Sequence, residues 1–489
     1  MARPRLFRDP VHGQIRYDQV DLQQPLPPAT QPGRRFSWLM LRLIDSPEFQ
    51  RLRHIRQLGI ANLVFHGAEH SRFAHSMGAA WLAQEMFDRI VRNTDDKPPA
   101  EYRAACCAAA LLHDIGHGPF SHTLEDTLEL AGTAFRHEHM TVRLLLDEDS
   151  GVNRILSAVD AKFPTLVASF IDRRLRTFDH WMYRVVSSQL DCDRLDYIVR
   201  DALFTGMHGT GFDLQRLLDM LMHDRGTRIA VHLKGIGTVE SYLIAMDLMY
   251  RSVYFHHTSR AAAYNLRAVL HRAWSVFGGR GNGGGDKGVF MEYDLEQQPG
   301  QLFAEPRPHP LRELFETGEA IDLASYLRLN EHHVWSLIDH WRDHPDPPLA
   351  DLASRVEDRR LFKTLDLDPH REPEAQELLA VARDMARKQL PQLVTDDTAA
   401  LYVAIDTSHR QSYRRSVWGS GEPDEAIWIK AGDTARPIDE MIGRKLVHAL
   451  REELLYPRLV FPGEIRTALM DLVRTTPRLR AALLHPELV

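Results

Sequence analysis

The amino-acid sequence predicts a mainly α fold, in which a large helical core is followed by a smaller α+β region at the C-terminal end. Apolar residues recur at every third or fourth position from Ser37 to about Leu270, which is the spacing of one face of an α-helix. Alternating apolar residues, the pattern of strands, occur in short segments near the two ends of the chain. At 489 residues the chain exceeds what one compact core usually holds, so an appended region is expected.

The first predicted element is a short strand or hairpin at residues 7–20, where apolar positions alternate around Pro10 and Gly13. A Pro-rich stretch at about residues 24–36 is expected to be a surface insertion. Helical segments follow, and the most regular are WLAQEMFDRIVRN, AACCAAALLHDIGH, VVSSQLDCDRLDYIVRDAL and the run from Val239 to Trp274. We therefore assign residues 1–275 to the helical core.

Two further regions follow the core. The Gly-rich run Gly278–Gly288 comes after a helix and lacks the GxxxxGK(S/T) spacing of a phosphate-binding loop, so it is expected to be a flexible loop. Helical segments separated by Pro-containing loops come next, and we assign residues 276–365 to a helical extension. The segments ALYVAIDTS and AIWIKAG have the pattern of strands and are expected to belong to one small α+β region, residues 366–489.

The composition argues against several partners and compartments. Lys and Arg number 60 and Asp and Glu 67, for a formal charge of -7, so no overall basic field favours nucleic acid. The longest small or apolar run, Ala104–Leu112, is far shorter than the about 20 residues that span a bilayer, and the N-terminal residues lack the apolar core of a signal peptide. The three cysteines, Cys106, Cys107 and Cys192, form neither a disulfide framework nor a CxxC pair. We expect a cytoplasmic protein without a membrane anchor.

Histidine is the unusual residue of this sequence. There are 26 histidines, and many of them lie between His66 and His139. Imidazole is a frequent metal ligand, and it donates to phosphate oxygens when it is protonated. The clustering therefore predicts metal or phosphate chemistry in this part of the core.

The strongest candidate for a metal site is the segment AALLHDIGHGPFSH, where a helix of small apolar residues ends at His113 and Asp114. Neighbouring residues of a regular helix point about 100° apart, so both side chains can reach one ion only where the helix ends. The glycines that follow supply that break. His75, near the start of an upstream helix, and Asp193, in a downstream helix, complete a set of two imidazoles and two carboxylates. Such a set suits an open site for a first-row divalent metal or magnesium.

Asp193, Tyr197 and Asp201 are spaced by four residues and so lie on one face of their helix. This face is polar on a helix that is otherwise apolar. It could be a solvated surface or the wall of a site next to the metal, and the spacing alone leaves both interpretations open.

Long motifs in a fixed order resemble the dNTP triphosphohydrolase branch of the HD superfamily, which includes dGTPase-like and SAM-and-HD-domain proteins. The matching segments are DPVHG, SPEFQRLRHIRQLG, VFHGAEHSRFAHSMG, LLHDIGHGPFSH, the pair His137-Glu138, DCDRLDYIVRD and VYFHHTSRAAAYN. The resemblance extends from residue 7 to about residue 260, apart from the Pro-rich insertion, and fades towards Lys363. It implies an HD-domain helical core and the hydrolysis of a dNTP to a deoxynucleoside and tripolyphosphate.

The resemblance also implies roles for particular residues. His75, His113, Asp114 and Asp193 match the metal ligands, so we expect one divalent ion per site, manganese, iron, magnesium or zinc, with additional magnesium arriving on the nucleotide. The residues that match catalytic positions are His117, His122, Glu125 and His137. Among these, His122 is the first choice for the general acid that protonates the departing 5′ oxygen. Glu125 stands in the place of an aspartate that the vertebrate relatives pair with this histidine.

A further group matches the family's substrate positions, namely Gln57, Leu58, Arg72, Arg194, Tyr197, Asp201 and Tyr254. By this resemblance Gln57 and Leu58 meet the deoxyribose, and Tyr254 crowds out a 2′ hydroxyl so that ribonucleotides are rejected. The other four hold the phosphates and the sugar. Arg194 replaces a lysine of the family, which keeps the charge but changes the geometry.

The resemblance also concerns partners. The residues that match a nucleotide site driving assembly in the vertebrate branch are Asp45, Gln50, Arg53 and Arg359. Ser252 and His257 stand where that branch has basic residues. We expect a deoxynucleotide substrate, a nucleotide effector and a homo-oligomer, either a dimer or a tetramer.

Two alternatives stay open. The metal signature is shared with HD enzymes that hydrolyse nucleoside monophosphates, cyclic nucleotides or alarmones. The second alternative is a nucleotide-sensing or nucleic-acid-binding scaffold with weak catalysis. It draws on two Arg-rich clusters, one of Arg173, Arg174 and Arg176 and one of Arg410, Arg414 and Arg415.

Overall fold

The computed structural model describes residues 4–277, 309–411, 426–441 and 453–488, together with positions 447 and 450. The Gly-rich run predicted to be a flexible loop, Gly278–Gly288, lies outside the described residues. The described part of the chain is mainly helical, as the sequence predicts, and carries three small sheets. No helix within it combines the length and the hydropathy that a membrane span requires.

An antiparallel hairpin comes first. Its strands are β1 (Arg5–Asp9) and β2 (Gly13–Tyr17). Gly13 has a φ of 78°, a conformation that residues with a Cβ rarely adopt. Alternate side chains of β2 are buried against the helices. The hairpin predicted at residues 7–20 is therefore confirmed, and it packs on the core.

Helices form the body of the core. In chain order they are α1 (Pro32–Ile44), α2 (Pro47–Gln50), α3 (Arg72–Thr94), α4 (Ala100–Leu112), α5 (His122–Leu130), α6 (His137–Leu146), α7 (Gly151–Ser157), α8 (Phe163–Ile171), α9 (Trp181–Arg184), α10 (Cys192–Thr205) and α11 (Leu214–Asp219). Turns of 3₁₀-helix at Arg51–His54 and Gly59–Leu63 lie between α2 and α3.

Helix α4 is the centre of this body. Every residue from Ala105 to Leu112 is buried, and α3 and α8 pack against this helix. Its alanines and cysteines are small, so neighbouring helices can approach closely. The three cysteines are buried and form no disulfide, as their spacing predicts.

The structure divides the run from Val239 to Trp274 that the sequence predicts as helical. Helix α12 (Ile236–Met249) passes into a π-helical turn, Tyr250–Tyr254, and α13 (His257–Phe277) follows. A π-helical turn inserts an extra residue and so shifts side chains around the helix axis. The spacing of apolar residues does not reveal this turn, yet it places Tyr254 on the wall of a large cavity.

Four helices of the extension pack back on the core. They are α14 (Pro310–Thr317), α15 (Leu323–Arg328), α16 (Glu331–Trp341) and α17 (Pro347–Glu357). Helix α17 packs on α13. At the start of α16, the buried Glu331 accepts from the Arg56 amide at 2.8 Å and from its Nη1 at 2.5 Å. The extension therefore holds the loop that carries Gln57.

The C-terminal residues contribute strands to two sheets. The first sheet has the order β3 (Leu221–Asp224), β4 (Arg228–His232), β7 (Trp428–Ala431) and β8 (Thr434–Pro437), with β4 and β7 parallel. The second is antiparallel, in the order β5 (Lys363–Asp366), β9 (Glu453–Phe461) and β6 (Ala404–Gln411). The accompanying helices are α18 (Glu372–Gln389), α19 (Ala399–Tyr402), α20 (Arg466–Thr475) and α21 (Pro477–Arg480).

The segments ALYVAIDTS and AIWIKAG contain strands β6 and β7, as the sequence predicts. The structure differs from the expectation that both belong to one α+β region, because β7 pairs with β4 of the core. Strand partners are chosen by packing between distant segments, which a local pattern does not show.

Candidate active site

The four residues expected to bind a metal converge on one point. His75 Nε2 lies 3.3 Å from His113 Nε2 and 3.0 Å from Asp193 Oδ1. Asp114 presents Oδ1 at 3.3 Å from His113 Nε2 and Oδ2 at 3.7 Å from His75 Nε2. His75, His113 and Asp193 are grouped closely enough to hold a metal ion.

Helix ends bring these residues together. His75 lies near the start of α3, which is capped by Ser71. Asp193 lies in the first turn of α10, where the cap residue Asp191 accepts from an amide of that turn at 2.9 Å. His113 directly follows the last residue of α4. Because the helix ends there, His113 and Asp114 can both face the same point.

The donor set fits a divalent metal ion. His75 Nδ1 donates to Asp196 Oδ2 at 2.8 Å, and His113 Nδ1 donates to the Ala110 carbonyl at 2.8 Å. These partners accept hydrogen bonds, so each neutral ring keeps its proton on Nδ1 and turns the Nε2 lone pair to the centre. Two imidazole lone pairs beside two carboxylates suit a first-row divalent ion.

The carboxylates around His75 favour a positive charge at this point. Burial alone would lower the pKa of His75, but Asp193 and Asp196 raise it to about 10. Burial would raise the pKa of Asp114, but Arg72 and the nearby histidines hold it well below its usual range. The site therefore attracts a cation, and a divalent ion supplies that charge while both ligand rings are neutral.

Arg72 connects the metal ligands to the cavity. Its Nη1 donates to Asp114 Oδ2 at 2.5 Å, and its Nε donates to Ser121 Oγ at 2.9 Å. The side chain is buried and also lines the cavity. A guanidinium that two acceptors hold in place can present its remaining N–H groups to an anion.

The residues that match catalytic positions form a second cluster. The His117 ring stacks on the His137 ring with centroids 3.6 Å apart. Glu125 accepts from His137 Nδ1 at 2.6 Å through Oε1 and from His122 Nδ1 at 3.2 Å through Oε2. His122 is the most accessible of the four, with 71% of its side chain exposed. Glu125 is therefore the shared acceptor that orients two of the histidines.

Charge within this cluster follows from burial and from neighbouring groups. Burial would raise the pKa of Glu125, but His122 and His137 hold it well below its usual range, so the side chain is a carboxylate. Burial and the positive charge of Arg72 hold the pKa of His117 well below its usual value. His117, Glu125 and His137 are also close enough to one another to hold a metal ion.

The loop between α4 and α5 has an unusual backbone. Phe120 and Ser121 have φ values of 57° and 51°, which residues with a Cβ seldom adopt. A Cβ on Gly116 would overlap the carbonyl of His137 and the amide of Thr141. This glycine therefore lets α6, and with it His137, approach the loop between α4 and α5.

A cavity of about 710 Å³ opens over both clusters. The predicted site residues that line it are Gln57, Leu58, Arg72, His113, Asp114, His117, His122, His137, Asp193, Arg194, Tyr197, Asp201 and Tyr254. His75 and Glu125 stand behind this wall, each in contact with a lining residue. The polar face of α10 is thus the wall of a cavity rather than a solvated surface.

Asp201 fixes an aromatic part of the wall. Tyr254 Oη donates to Asp201 Oδ2 at 2.7 Å, and His70 Nε2 donates to Asp201 Oδ1 at 2.7 Å. Burial and the Asp201 charge raise the pKa of Tyr254 well above its usual value, so it remains a hydroxyl donor. The Tyr197 ring meets the Tyr254 ring edge to face at 6.1 Å. Asp201 thereby orients Tyr254 within the cavity.

Gln57 carries a buried side-chain oxygen that lacks a hydrogen-bond donor in the described part of the chain. Its backbone amide donates to the His70 carbonyl at 3.0 Å, which fixes the loop. The side-chain Oε1 is buried and has no hydrogen-bond partner among the described residues. A buried acceptor without a partner is costly, and a hydroxyl of a bound molecule would satisfy it.

Sequence reasoning missed several residues of the cavity wall. Arg260 of α13 lines the cavity and pairs with Asp406 of β6, with Nε–Oδ2 and Nη2–Oδ1 distances of 2.9 and 2.8 Å. Arg184 also lines the cavity, as does Arg173 of the first Arg-rich cluster. The one signal for Arg260 is its place within the matching segment VYFHHTSRAAAYN. Its partner is 146 residues away in the sequence, so the pair is invisible to local patterns.

The residues that match an effector site contact neighbours within the chain. Asp45 accepts two hydrogen bonds from Arg5, at 2.8 and 2.9 Å. Gln50 Oε1 accepts from Arg53 Nε at 2.7 Å. Arg359 Nε donates to a backbone carbonyl at 2.6 Å. Ser252 lies in the π-helical turn, and His257 is the first residue of α13.

The first Arg-rich cluster does not present a continuous basic surface. Arg174 pairs with Asp172 at 2.8 Å, and Arg176 donates to two backbone carbonyls. Arg173 lines the cavity. Of the second cluster, Arg414–Arg415 lies outside the described residues.

The chain belongs to the HD-domain family, and it has the fold of an HD phosphohydrolase. The model of the HD domain matches residues 72–188, and the model of the HD associated region matches residues 212–277. His75, His113 and Asp114 lie within the first match, and Asp193 lies between the two.

The uncharacterized protein YwfO of Bacillus subtilis is 34% identical over 402 residues, which is 82% of this chain and 81% of that protein. A deoxynucleoside triphosphate triphosphohydrolase SAMHD1 homolog of Dictyostelium discoideum is 35% identical over 189 residues, which is 37% of this chain and 36% of the relative. The crystal structure of a phosphohydrolase from Bacteroides thetaiotaomicron has a TM-score of 0.71 and 25% identity, covering 94% of this chain and 100% of that one. Similarity to a phosphohydrolase thus extends along most of the chain, whereas the similarity to the Dictyostelium enzyme is partial.

Proposed function

We propose that this protein is a metal-dependent dNTP triphosphohydrolase, which converts a dNTP and water to a deoxynucleoside and tripolyphosphate. The observation that carries the proposal is that three candidate metal ligands, guanidinium groups and a fixed aromatic wall line one cavity of about 710 Å³. The metal ligands alone would suit any HD nucleotide phosphohydrolase. Gln57, Leu58, Arg72 and Tyr254 support a deoxynucleotide with a phosphate chain.

His75, His113, Asp114 and Asp193 would hold one divalent ion of manganese, iron, magnesium or zinc. When bound, such an ion offsets charge on phosphate oxygens and makes a water molecule at the site more acidic. Asp196 and the Ala110 carbonyl keep the two ligand rings in the tautomer that binds a metal through Nε2.

Arginine side chains would bind the phosphate chain. Arg72 is held by Asp114 and Ser121, and Arg194 lies on the wall of the same cavity. Guanidinium groups bind phosphate oxygens through paired N–H groups. Because Arg72 is buried, its charge acts in a medium that screens weakly. Such fixed donors position the substrate with little reorganisation during the reaction.

His122 would protonate the departing 5′ oxygen. Glu125 accepts from His122 Nδ1 at 3.2 Å, so the carboxylate orients the ring and leaves Nε2 to carry the proton that is transferred. That proton passes to the 5′ oxygen as its bond to the α-phosphorus breaks, and the deoxynucleoside leaves with a hydroxyl. Water supplies the oxygen that the α-phosphorus gains, which completes tripolyphosphate.

The aromatic wall would select deoxyribose. Asp201 holds Tyr254 through a 2.7 Å hydrogen bond, so the ring does not move aside easily for a 2′ hydroxyl. Gln57 Oε1 is an acceptor that a 3′ hydroxyl can satisfy. A site rejects a substrate that overlaps a fixed side chain or leaves a buried polar group unpaired.

A panel of nucleotides tests the proposal. The full-length protein is freed of metal with a chelator, reloaded with manganese or magnesium, and incubated with dNTPs, NTPs, nucleoside monophosphates, a cyclic nucleotide and an alarmone. We expect turnover of the dNTPs, with the NTPs resistant. Turnover of a monophosphate, a cyclic nucleotide or an alarmone without turnover of any dNTP would contradict the proposal and favour another HD reaction.

We further propose that a second nucleotide promotes self-association to a dimer or a tetramer. Asp45, Arg53 and Arg359 are exposed, so a second subunit or a nucleotide can reach them. Light scattering combined with the turnover assay, with and without a second nucleotide, checks this. A larger mass and a faster rate are expected, and an unchanged mass together with an unchanged rate would contradict it.

A further inference from the structure

We infer that the N-terminal hairpin is part of the metal site, because His12 at its turn holds the carboxylate that orients the metal-binding His75. His12 is thus a positioning residue, and it acts through Asp196. The inference rests on the proposed function only in taking His75 as a metal ligand.

The connection is a chain of hydrogen bonds in the interior. His12 Nε2 donates to Asp196 Oδ1 at 2.6 Å, and Asp196 Oδ2 accepts from His75 Nδ1 at 2.8 Å. The side chains of His12 and Asp196 are 1% and 0% exposed. Because water does not reach these groups, the protein itself must supply the partners of the Asp196 carboxylate.

Arg200 completes the surroundings of Asp196. Its Nε donates to Asp196 Oδ2 at 2.7 Å and its Nη2 to Asp196 Oδ1 at 2.9 Å. Arg200 also lies 3.0 Å from Asp9, the last residue of β1. The hairpin therefore contacts this buried group at two points, through Asp9 and through His12.

The turn of the hairpin is built to deliver His12. Asp9 Oδ1 accepts from the amides of Val11 and His12, both at 2.9 Å. The His12 ring stacks on Trp81 of α3, with centroids 4.6 Å apart and an interplanar angle of 25°. Both the backbone and the ring are thus fixed before Nε2 meets Asp196.

A glycine in α3 makes room for the arrangement. Gly78 lies three residues after His75, so it is on the same side of the helix. A Cβ on Gly78 would overlap Asp196 Oδ1 and Arg200 Nη2. The carboxylate therefore lies directly against the backbone of the helix that carries the metal ligand.

Mutation of a partner that orients a metal-binding histidine commonly weakens metal binding by about 10- to 100-fold. If His12 acts by donating to Asp196, a replacement that keeps a donor should keep metal affinity. If His12 acts only by packing on Trp81, a replacement that keeps an aromatic ring should do so. His12→Gln and His12→Phe separate these two roles.

The test is titration calorimetry of manganese into the metal-free, full-length protein, with the melting temperature of each variant measured on the same samples. We expect His12→Phe to weaken manganese binding by about 10-fold or more and His12→Gln to stay within a few-fold of wild type. Arg16→Ala, an exposed change on β2, is the matched control and should bind as wild type does. Wild-type affinity in His12→Phe, or an equal loss in both His12 variants, would overturn the inference.

A double variant supplies an independent check. In an Asp196→Asn background, His12→Phe should weaken manganese binding no further, because the two residues act in one path. Additive losses would overturn the inference. Gly78→Ala, which disturbs Asp196 from the side of α3, should weaken manganese binding without a change in the hairpin. Because manganese binding is measured without a nucleotide, a protein that fails to hydrolyse dNTPs still gives a decisive result here.

Discussion

Asp193 is the carboxylate that both candidate metal-binding histidines face. Its Oδ1 lies 3.0 Å from His75 Nε2 and 3.5 Å from His113 Nε2. We expect Asp193→Ala to lower manganese affinity by about 100-fold or more, beyond the effect of a residue that only orients a ligand, and to abolish turnover. Calorimetry and a turnover assay check this, with Asp343→Ala at an exposed position as control. Unchanged turnover would refute the ligand assignment.

In the proposed function, Tyr254 is the residue on which sugar selection depends. Tyr254→Ala removes the ring that Asp201 fixes and should reduce the preference for a dNTP over its NTP by about 10- to 100-fold. Tyr254→Phe keeps the ring and should retain most of the preference. The ratio of kcat/KM for a matched dNTP and NTP measures the effect. An unchanged ratio in Tyr254→Ala would show that another group excludes the 2′ hydroxyl.

The sequence predicts individual ligands better than it predicts their supports. His113 and Asp114 are adjacent and are followed by glycines, so a local pattern is enough to indicate them. Asp196 looks like one more polar residue of α10, and its partner His12 is 184 residues away. A residue that acts through a distant partner leaves no signal in spacing, so His12 becomes interpretable only in the fold.

The loop between α4 and α5 depends on Gly116 for its close approach to α6. Gly116→Ala should push α6 away, because the new Cβ overlaps the His137 carbonyl, and overpacking of this kind costs about 1–3 kcal/mol. The melting temperature and the turnover rate should both fall. Gly237→Ala is the matched control, since no atom lies within 4 Å of its new Cβ. A Gly116→Ala protein as stable and active as wild type would contradict this account of the loop.

The π-helical turn is the element that the sequence could not predict. The spacing of apolar residues continues from α12 into α13, so the segment reads as helical throughout. The turn depends on packing instead, because Arg458 Nη1 of β9 donates to the Phe255 carbonyl at 2.5 Å and the Tyr456 ring meets the Phe255 ring at 5.5 Å. Contacts from the far end of the chain therefore support the backbone next to Tyr254.

In the whole molecule, the C-terminal region supports the wall of the cavity from behind. Arg260 reaches the cavity wall while Asp406 of β6 holds it, and β9 supports the π-helical turn. The strand patterns of the sequence predict that residues 366–489 form a separate region. The described part of this region contacts the helical core, because strand pairing and ion pairs join segments that local patterns treat independently.

Asp406→Asn tests this contribution. Losing the charge of the paired carboxylate should loosen Arg260 and raise KM for a dNTP by about 10-fold, a change of roughly 1.4 kcal/mol, while manganese affinity stays at the wild-type value. Steady-state kinetics and calorimetry measure the two quantities. Asp471→Asn, an exposed change on α20, is the control. An unchanged KM would show that the C-terminal region does not shape the cavity.

In the proposed reaction, the bond between the α-phosphorus and the 5′ oxygen breaks. The most direct measurement is hydrolysis of a dNTP in ¹⁸O-labelled water with the manganese-loaded protein, followed by mass spectrometry of all products. We expect an unlabelled deoxynucleoside and a tripolyphosphate that carries one labelled oxygen. Label in orthophosphate, or in a nucleoside monophosphate released with pyrophosphate, would contradict it.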